Sequence, residues 1–235
     1  MITHKKTLLW WSSGKDGAWA LHVLRRTPGV TVAGLVTTVT RPFDRVAMHA
    51  VRRELVHAQA EAAGLPLHIV EIPYPCPNDA YERAVRAFTE TAKRDGVTHM
   101  AFGDLFLEDV RAYREKLFED TGVAPLFPLW GRSTPRLARA MLAGGLRALL
   151  TCVDPRRLDA SFAGRPFDHD LLADLPPEVD PCGERGAFHT FVFDGPMFTR
   201  PIPVETGESV SRDGFVFADV LPLETGTPGR FETIE

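Results

Sequence analysis

The spacing of apolar positions changes along the chain in a regular order. Residues 7–12 form a short β-prone run that breaks at Ser13-Gly14, and over residues 16–24 apolar side chains recur at helical spacing. This pattern predicts a strand, a tight turn and a helix. Residues 30–39 are a nearly continuous Val/Ala/Leu/Thr run bounded by Pro28-Gly29 and Pro42, too short for most helices, and read as a strand buried on both faces. Val51, Leu55, Ala58 and Ala62 share one face of a helix expected over residues 47–63, with Gly64 as its stop. Residues 67–72 return to strand. Asn78 is the expected cap of a helix over 80–94, whose inward stripe is Val85, Phe88 and Ala92, and Gly96 precedes a strand over 98–102.

Repeated alternation of strand and helix implies parallel strands, right-handed crossovers and a sheet covered on both faces. The expected fold is therefore α/β with a Rossmann-like parallel sheet. Such sheets bind ligands at the carboxyl ends of their strands, so the turns after Ser12, Val39, Ile72 and Phe102 should line one crevice. Beyond Gly103-Asp104 the pattern changes. A helix is expected over 108–121, then a proline-rich connection through Pro125 and Pro128 to Trp130-Gly131, a helix over 135–143 and a strand over 148–153. From Asp154 the chain is rich in Pro, Asp and Arg until strands at 188–193 and 214–223. These features divide the chain into residues 1–103, a smaller C-terminal α+β part over 104–224 and a flexible tail over 225–235.

Composition narrows the function classes. Lys+Arg 27 against Asp+Glu 31 gives a net charge of −4, which argues against bulk attraction to nucleic acid, so any bound anion needs a local site. No apolar stretch approaches the roughly eighteen residues of a membrane span, and the N-terminus runs into a strand instead of a secretion signal, so the cytoplasm is the expected compartment. Cys76, Cys152 and Cys182 are widely separated and suggest neither a disulfide framework nor a Cys-x-x-Cys metal knuckle. Cys182, in a polar loop, is either a reactive thiol or, with no activating neighbour in sequence, an inert one. Self-association is left open.

The residues with most chemistry sit where the first strand meets the first helix: Trp10-Trp11-Ser12-Ser13-Gly14-Lys15-Asp16-Gly17. Small residues let the backbone approach a ligand, successive N–H groups can form a concave nest, and the helix start adds partial positive charge, so the corner suits an anion. Lys15 can supply a discrete charge to a phosphate, and Asp16 can hold Mg²⁺ arriving with a nucleotide. A plain polar turn and cap is the competing reading. The Walker spacing and Gly-x-Gly-x-x-Gly are both absent.

Gly103-Asp104 should face the same crevice, with Asp104 binding Mg²⁺, positioning a nucleophile or merely capping the next helix. Glu108 and Asp109 suit the positive end of that helix, and Arg111 and Arg114 read as surface charges. The apolar segment 125–130 either walls a substrate pocket or packs in the core. In residues 183–190, glycines bracket Glu184 and precede His189 and Thr190, which reads either as a substrate-side site or as a solvated loop.

The first corner resembles the PP-loop, Ser-Gly-Gly-x-Asp-Ser, of the adenine nucleotide alpha hydrolase superfamily, whose members split ATP between the α and β phosphates. Within it the chain is similar to the diphthine-ammonia ligase family from about Thr7 to Leu223. The resemblance is carried by Met48-His49-Ala50-Val51-Arg52 with Gln59, Phe102-Gly103-Asp104 with Glu108-Asp109-Val110-Arg111, Pro125-Leu126-Phe127-Pro128-Leu129-Trp130-Gly131, Asp180-Pro181-Cys182-Gly183-Glu184, and Phe188-His189-Thr190 before Asp194-Gly195-Pro196-Met197-Phe198. The family usually has Ser at the position of Gly17 and commonly Glu at that of Ala187, so one hydroxyl and one carboxylate are missing, and Ser13 stands at the motif's second position, where the family has its first glycine.

The resemblance implies a HUP-type first domain that binds ATP and a substrate-side second part. It implies cofactor contacts at Ser12, Ser13, Gly14, Lys15, Asp16, Gly17, Thr37, His49 and Gly103, catalytic roles for Lys15, Asp104, Glu184 and His189, and Mg²⁺ on Asp16. The activity implied is ATP-dependent amidation of a carboxylate with ammonia, the carboxylate being diphthine in elongation factor 2 for eukaryotic and archaeal members and another acceptor elsewhere. The alternatives are a nucleotide-binding or sensing module without turnover and a simple nucleotide hydrolase.

Overall fold

The structure is a computed structural model that describes residues 4–46 and 50–223. The first sheet is built from β1 (Lys5–Trp10), β2 (Val30–Thr40), β3 (Arg45–Val46), β4 (Leu67–Ile72), β5 (His99–Ala101) and β6 (Ala124–Leu126). β1 lies parallel to β2 on one side and to β5 on the other, β4 pairs parallel with β2, and β6 pairs parallel with β5. The chain thus works outward from β1 to β2 and β4, then returns to β5 on the far side of β1. This reversal creates a topological switch point between β1 and β5.

The helices α1 (Lys15–Leu24), α2 (Arg53–Ala63), α3 (Asn78–Arg94), α4 (Glu108–Phe118) and α5 (Thr134–Ala143) provide the crossovers and covers. Alternate strand residues enter different cores. Leu9 and Leu35 join α1, α2 and α5 in the larger cluster, whereas Leu8, Val36 and Met100 pack with Val85 and Ala92 of α3 and Leu117 and Phe118 of α4. Burial on both faces is why β2 reads as an unbroken apolar run: residues 34–40 are all buried.

The C-terminal part forms a second, antiparallel sheet in the order β8-β7-β10-β9, from β7 (Arg147–Val153), β8 (Phe188–Asp194), β9 (Val204–Arg212) and β10 (Phe215–Pro222), with α6 (His169–Asp174) between β7 and β8. The fold is α/β, a Rossmann-like, mostly parallel sheet joined to this antiparallel one.

Several local expectations are corrected. β6 occupies part of the expected proline-rich connection and joins the first sheet, and its Pro125 is tolerated because the strand is an edge with no partner beyond it. β9 escaped the pattern because nearly all its side chains are exposed; the signal present was Asp213-Gly214, both at positive φ, a hairpin turn. α2 starts at Arg53, since the preceding residues pair back on β3 through Val46 N–H to Val51 O (2.9 Å). Asn78 is the first residue of α3 and Pro77 holds the cap position. The short α6 was not expected; Asp168 caps it by accepting from Leu171 N at 2.7 Å. The expected tail falls outside the described residues. Among those residues, no helix is long and apolar enough to cross a membrane.

Candidate active site

A cavity of about 520 Å³ opens at the carboxyl ends of β1, β2 and β5. Three sources wall it: Ser12, Gly14, Asp16 and Gly17 from the first corner, Gly103, Asp104 and Arg114 from the β5 exit and α4, and Glu184, His189 and Thr190 from the second sheet's side. Trp10, Thr38, Tyr81, Phe102 and Val110 complete it.

The first corner is held from behind. Ser13 is buried in the left-handed region (φ 73°), a conformation that costs a non-glycine residue free energy and persists only when neighbours enforce it. Its carbonyl accepts from Gln59 Nε2 (3.0 Å) and from the Val192 N–H of β8 (3.0 Å). Gln59 is fully buried and also donates to Val192 O (2.6 Å) while accepting from Trp11 Nε1 (2.8 Å), so its amide clamps the corner to the second sheet. Gly14 holds the cap position of α1 and offers no side-chain cap, and Lys15 N–H donates to Thr190 Oγ1 at 3.0 Å. The positive end of α1 therefore faces the cavity. Gly103 must be glycine: a Cβ there would lie 2.8 Å from Asp16 C and Gly17 N, backbone against backbone. Gly17 has room, with the nearest atoms 3.7 and 4.0 Å from a Cβ position.

Lys15 is not at the cavity surface. It is 2% exposed, its Nζ donates to Asp16 Oδ2 (2.9 Å) and to the Cys182 carbonyl, and it sits 5.3 Å from the Phe188 ring centre. Burial pulls the Lys15 amine down, but the Asp16 carboxylate, aided by Glu184 farther off, outweighs it and the net shift is upward. Asp16 is pushed up by burial, which its Lys15 partner offsets only in part. Asp104 is likewise raised by burial against the pull of Arg114, whose Nε stands 3.6 Å from Asp104 Oδ2. Burial and the charges of Asp16, Asp104 and Asp180 push Glu184 to about 7 against the pull of Lys15, while burial and then Lys15 lower His189 to about 4.

Other candidates fall elsewhere. Thr37 is fully buried and does not line the cavity; its neighbour Thr38, pointing to the opposite side of β2, does. Ser13 contributes its backbone geometry from behind. His49 lies outside the described residues. Asp104 precedes α4 by four residues, and Leu107 holds the cap position, so the capping role does not apply. Glu108 and Asp109 occupy the first turn of α4. Arg114 is no surface charge: it donates to Tyr81 Oη (3.2 Å) and stacks on Phe102 (4.7 Å). Arg111 lies over Phe127 and Trp130, and Leu129 is core, so segment 125–130 packs behind the cavity. Cys182 is buried, with its thiol pushed up by desolvation, which is the inert alternative. Ala187 is also core, away from the cavity lining.

Residues 5–125 match the family described as diphthamide synthase N-terminal domain, and residues 133–219 match diphthamide synthase C-terminal domain. The chain belongs to the diphthamide synthase family. Relatives named diphthine–ammonia ligase include those of Bos taurus (26% identical over 196 residues, 77% of this chain and 73% of that one), Homo sapiens (25% over 196 residues, with the same coverage) and Danio rerio (26% over 195 residues, 76% of each). A solved quinone oxidoreductase from Escherichia coli has a TM-score of 0.29 and 18% identity over 63% of this chain and 57% of that one, too slight a likeness to bear on fold or function.

Both family regions contribute to the cavity, the N-terminal match through the corner and Asp104, the C-terminal one through Glu184, His189 and Thr190. The lining residues not expected to contact a ligand are Trp10, Thr38, Tyr81, Phe102, Val110 and Arg114. Phe102 carried a signal, as the last side chain of a strand predicted to end at the crevice, and Trp10 stood next to the corner in the predicted first strand. Tyr81 and Arg114 carried none, because helix surface charge and ring look alike until a neighbouring helix covers them.

Proposed function

We propose that this family member catalyses the ATP-dependent amidation of a carboxylate with ammonia, releasing AMP and pyrophosphate. The observation that carries the reading is convergence: a glycine-lined corner at an uncapped helix start shares one cavity with a loop whose Glu184 titrates near neutrality. Relatives that are diphthine–ammonia ligases support ammonia as a substrate.

In this reading the triphosphate rests on the corner formed by Ser12, Ser13, Gly14, Asp16 and Gly17, against the positive end of α1. Lys15 offsets its charge from behind the corner. The adenine lies towards the end of β2, by Thr38, and Gly103 admits the nucleotide by leaving the corner uncrowded. Asp16 Oδ1 and Asp104 Oδ2 are buried oxygens with no hydrogen-bond partner among the described residues, and as hard donors they would suit Mg²⁺. Mg²⁺ would supply neutralisation of phosphate charge.

The acceptor carboxylate attacks the α phosphorus and pyrophosphate leaves. Ammonia then attacks the activated carbonyl carbon and displaces AMP. Glu184, ionised in part at neutral pH, takes the proton that the attacking nitrogen must lose. His189 stays neutral at that pH and serves as a hydrogen-bonding group in the same cavity.

The test is a panel of carboxylate metabolites with Mg-ATP and ammonium, followed by pyrophosphate and AMP. Ammonium-dependent release of both supports the ligase. AMP formation without an acceptor would make the protein a hydrolase, and ATP binding with no turnover on any carboxylate would make it a sensing module.

A further inference from the structure

A second cavity, of about 310 Å³, lies between the β2–β3 turn and the β9–β10 hairpin and shares no lining residue with the first. Its walls are aromatic. Phe43 and Tyr74 meet edge to face with ring centres 4.9 Å apart, and Phe215 and Phe217 of β10 are 6.3 Å apart. Phe43 and Tyr74 are 45% and 56% exposed, two of only four large hydrophobic side chains so exposed among the described residues. Exposed rings gathered at the mouth of a cavity forgo burial that the fold secures almost everywhere else, which marks a surface kept for a ligand.

The polar groups select the ligand. Arg45 is already committed, donating to Asp219 Oδ1 (2.9 Å) and Ala50 O (2.7 Å). Arg212 is different. Its guanidinium lies over the rings of Phe217 (5.1 Å) and Phe43 (5.5 Å), it donates no hydrogen bond among the described residues, and its ion-pair partner, Asp213, is 3.9 Å away and largely in solvent. A guanidinium that lies over rings and donates to no acceptor among the described residues keeps its N–H groups for a ligand, and a carboxylate takes two parallel bonds from it. Cys152 also lines the cavity; its thiol is pushed up to about 12, first by burial, and so presents an uncharged surface. At the small end of the range for ligand sites, the volume suits one or two fused rings.

We propose that this cavity is a binding site for a planar aromatic carboxylate, with the ring held among Phe43, Tyr74, Phe215 and Phe217 and the carboxylate on Arg212. The site is independent of the reaction proposed above.

The test is equilibrium dialysis of the full chain with 1-naphthoate and with the uncharged 1-naphthalenemethanol, each with and without saturating Mg-ATP. One naphthoate binds per chain, the alcohol binds about tenfold more weakly, and Mg-ATP does not displace either. Arg212→Gln weakens naphthoate about tenfold and leaves the alcohol unchanged, whereas Phe43→Ser weakens both. Both positions are exposed enough for the variants to fold. Absence of saturable binding, equal affinity of Arg212→Gln and the parent for naphthoate, or displacement by Mg-ATP would each overturn the proposal.

Discussion

The two cavities are built on opposite principles. The first is shaped by backbone: a left-handed Ser13, a glycine at 103 pressed against the corner, and an uncapped helix start, with carboxylates whose charges disturb one another. The second is shaped by side chains that stack on one another and on a guanidinium. A backbone-built site is rigid and coupled to the whole fold, so small changes there spread. In the ring-built site, the removal of one exposed ring or charge should stay local.

The sharpest way to break this contrast is to remove the clamp behind the first cavity. Gln59→Leu leaves Ser13 O, Val192 O and Trp11 Nε1 short of partners in the interior, at about 3 kcal/mol or more, read from urea denaturation. Arg212→Gln, by contrast, should shift the same curve by less than about 0.5 kcal/mol. Next in size is Gly103→Ala, whose methyl would be driven into Asp16 and Gly17 backbone; it should cost about 1–3 kcal/mol and weaken ATP binding in calorimetry.

Titration sharpens the comparison further. Glu184 has a folded pKa of about 7 against an ordinary 4.5, so the unfolded chain releases that proton first and the stability contribution falls as pH rises between those values. His189 acts in the opposite sense: with a folded value of about 4 against 6.5, it contributes stability that is lost as pH falls through that window. Glu184→Gln should therefore remove part of the loss of stability between pH 5 and 7.5, measured as denaturation midpoints, and expose the rising His189 limb.

Lys15→Met tests where the ammonium acts. Because its Nζ binds Asp16 and the Cys182 carbonyl behind the corner, the variant should speed amide exchange in residues 180–190 while ATP affinity falls less than about tenfold; a far larger loss with unchanged exchange would make Lys15 a direct phosphate contact. Smallest is Gly17→Ser, which meets only ordinary contacts and trades glycine for a better helix former, so stability should rise by a few tenths of a kcal/mol.

The parts legible in the sequence share one property: the local pattern and the final environment agree. β2 is apolar throughout because both its faces are covered, and α3 shows its stripe because Val85 and Ala92 face the core. β9 was invisible because an exposed edge strand has no apolar face to display, and Pro125 disguised β6 because an edge excuses the missing donor. At the site, the small residues of the first corner announced a place where chain meets ligand. Arg114 did not announce itself, since α4 looks solvent-exposed until Phe102 and Tyr81 cover it.

The sequence by itself determined the alternation of strand and helix, the position of the turn that starts α1, and the family, because each depends on residues close together or on a fixed order along the chain. The tertiary structure alone decided that Lys15 is walled off, that Thr38 and not Thr37 faces the cavity, that Ala187 is core, and that Arg212 stands over rings drawn from distant segments. Those outcomes turn on burial and on charges brought together by the fold, and neither quantity exists until distant parts of the chain have met.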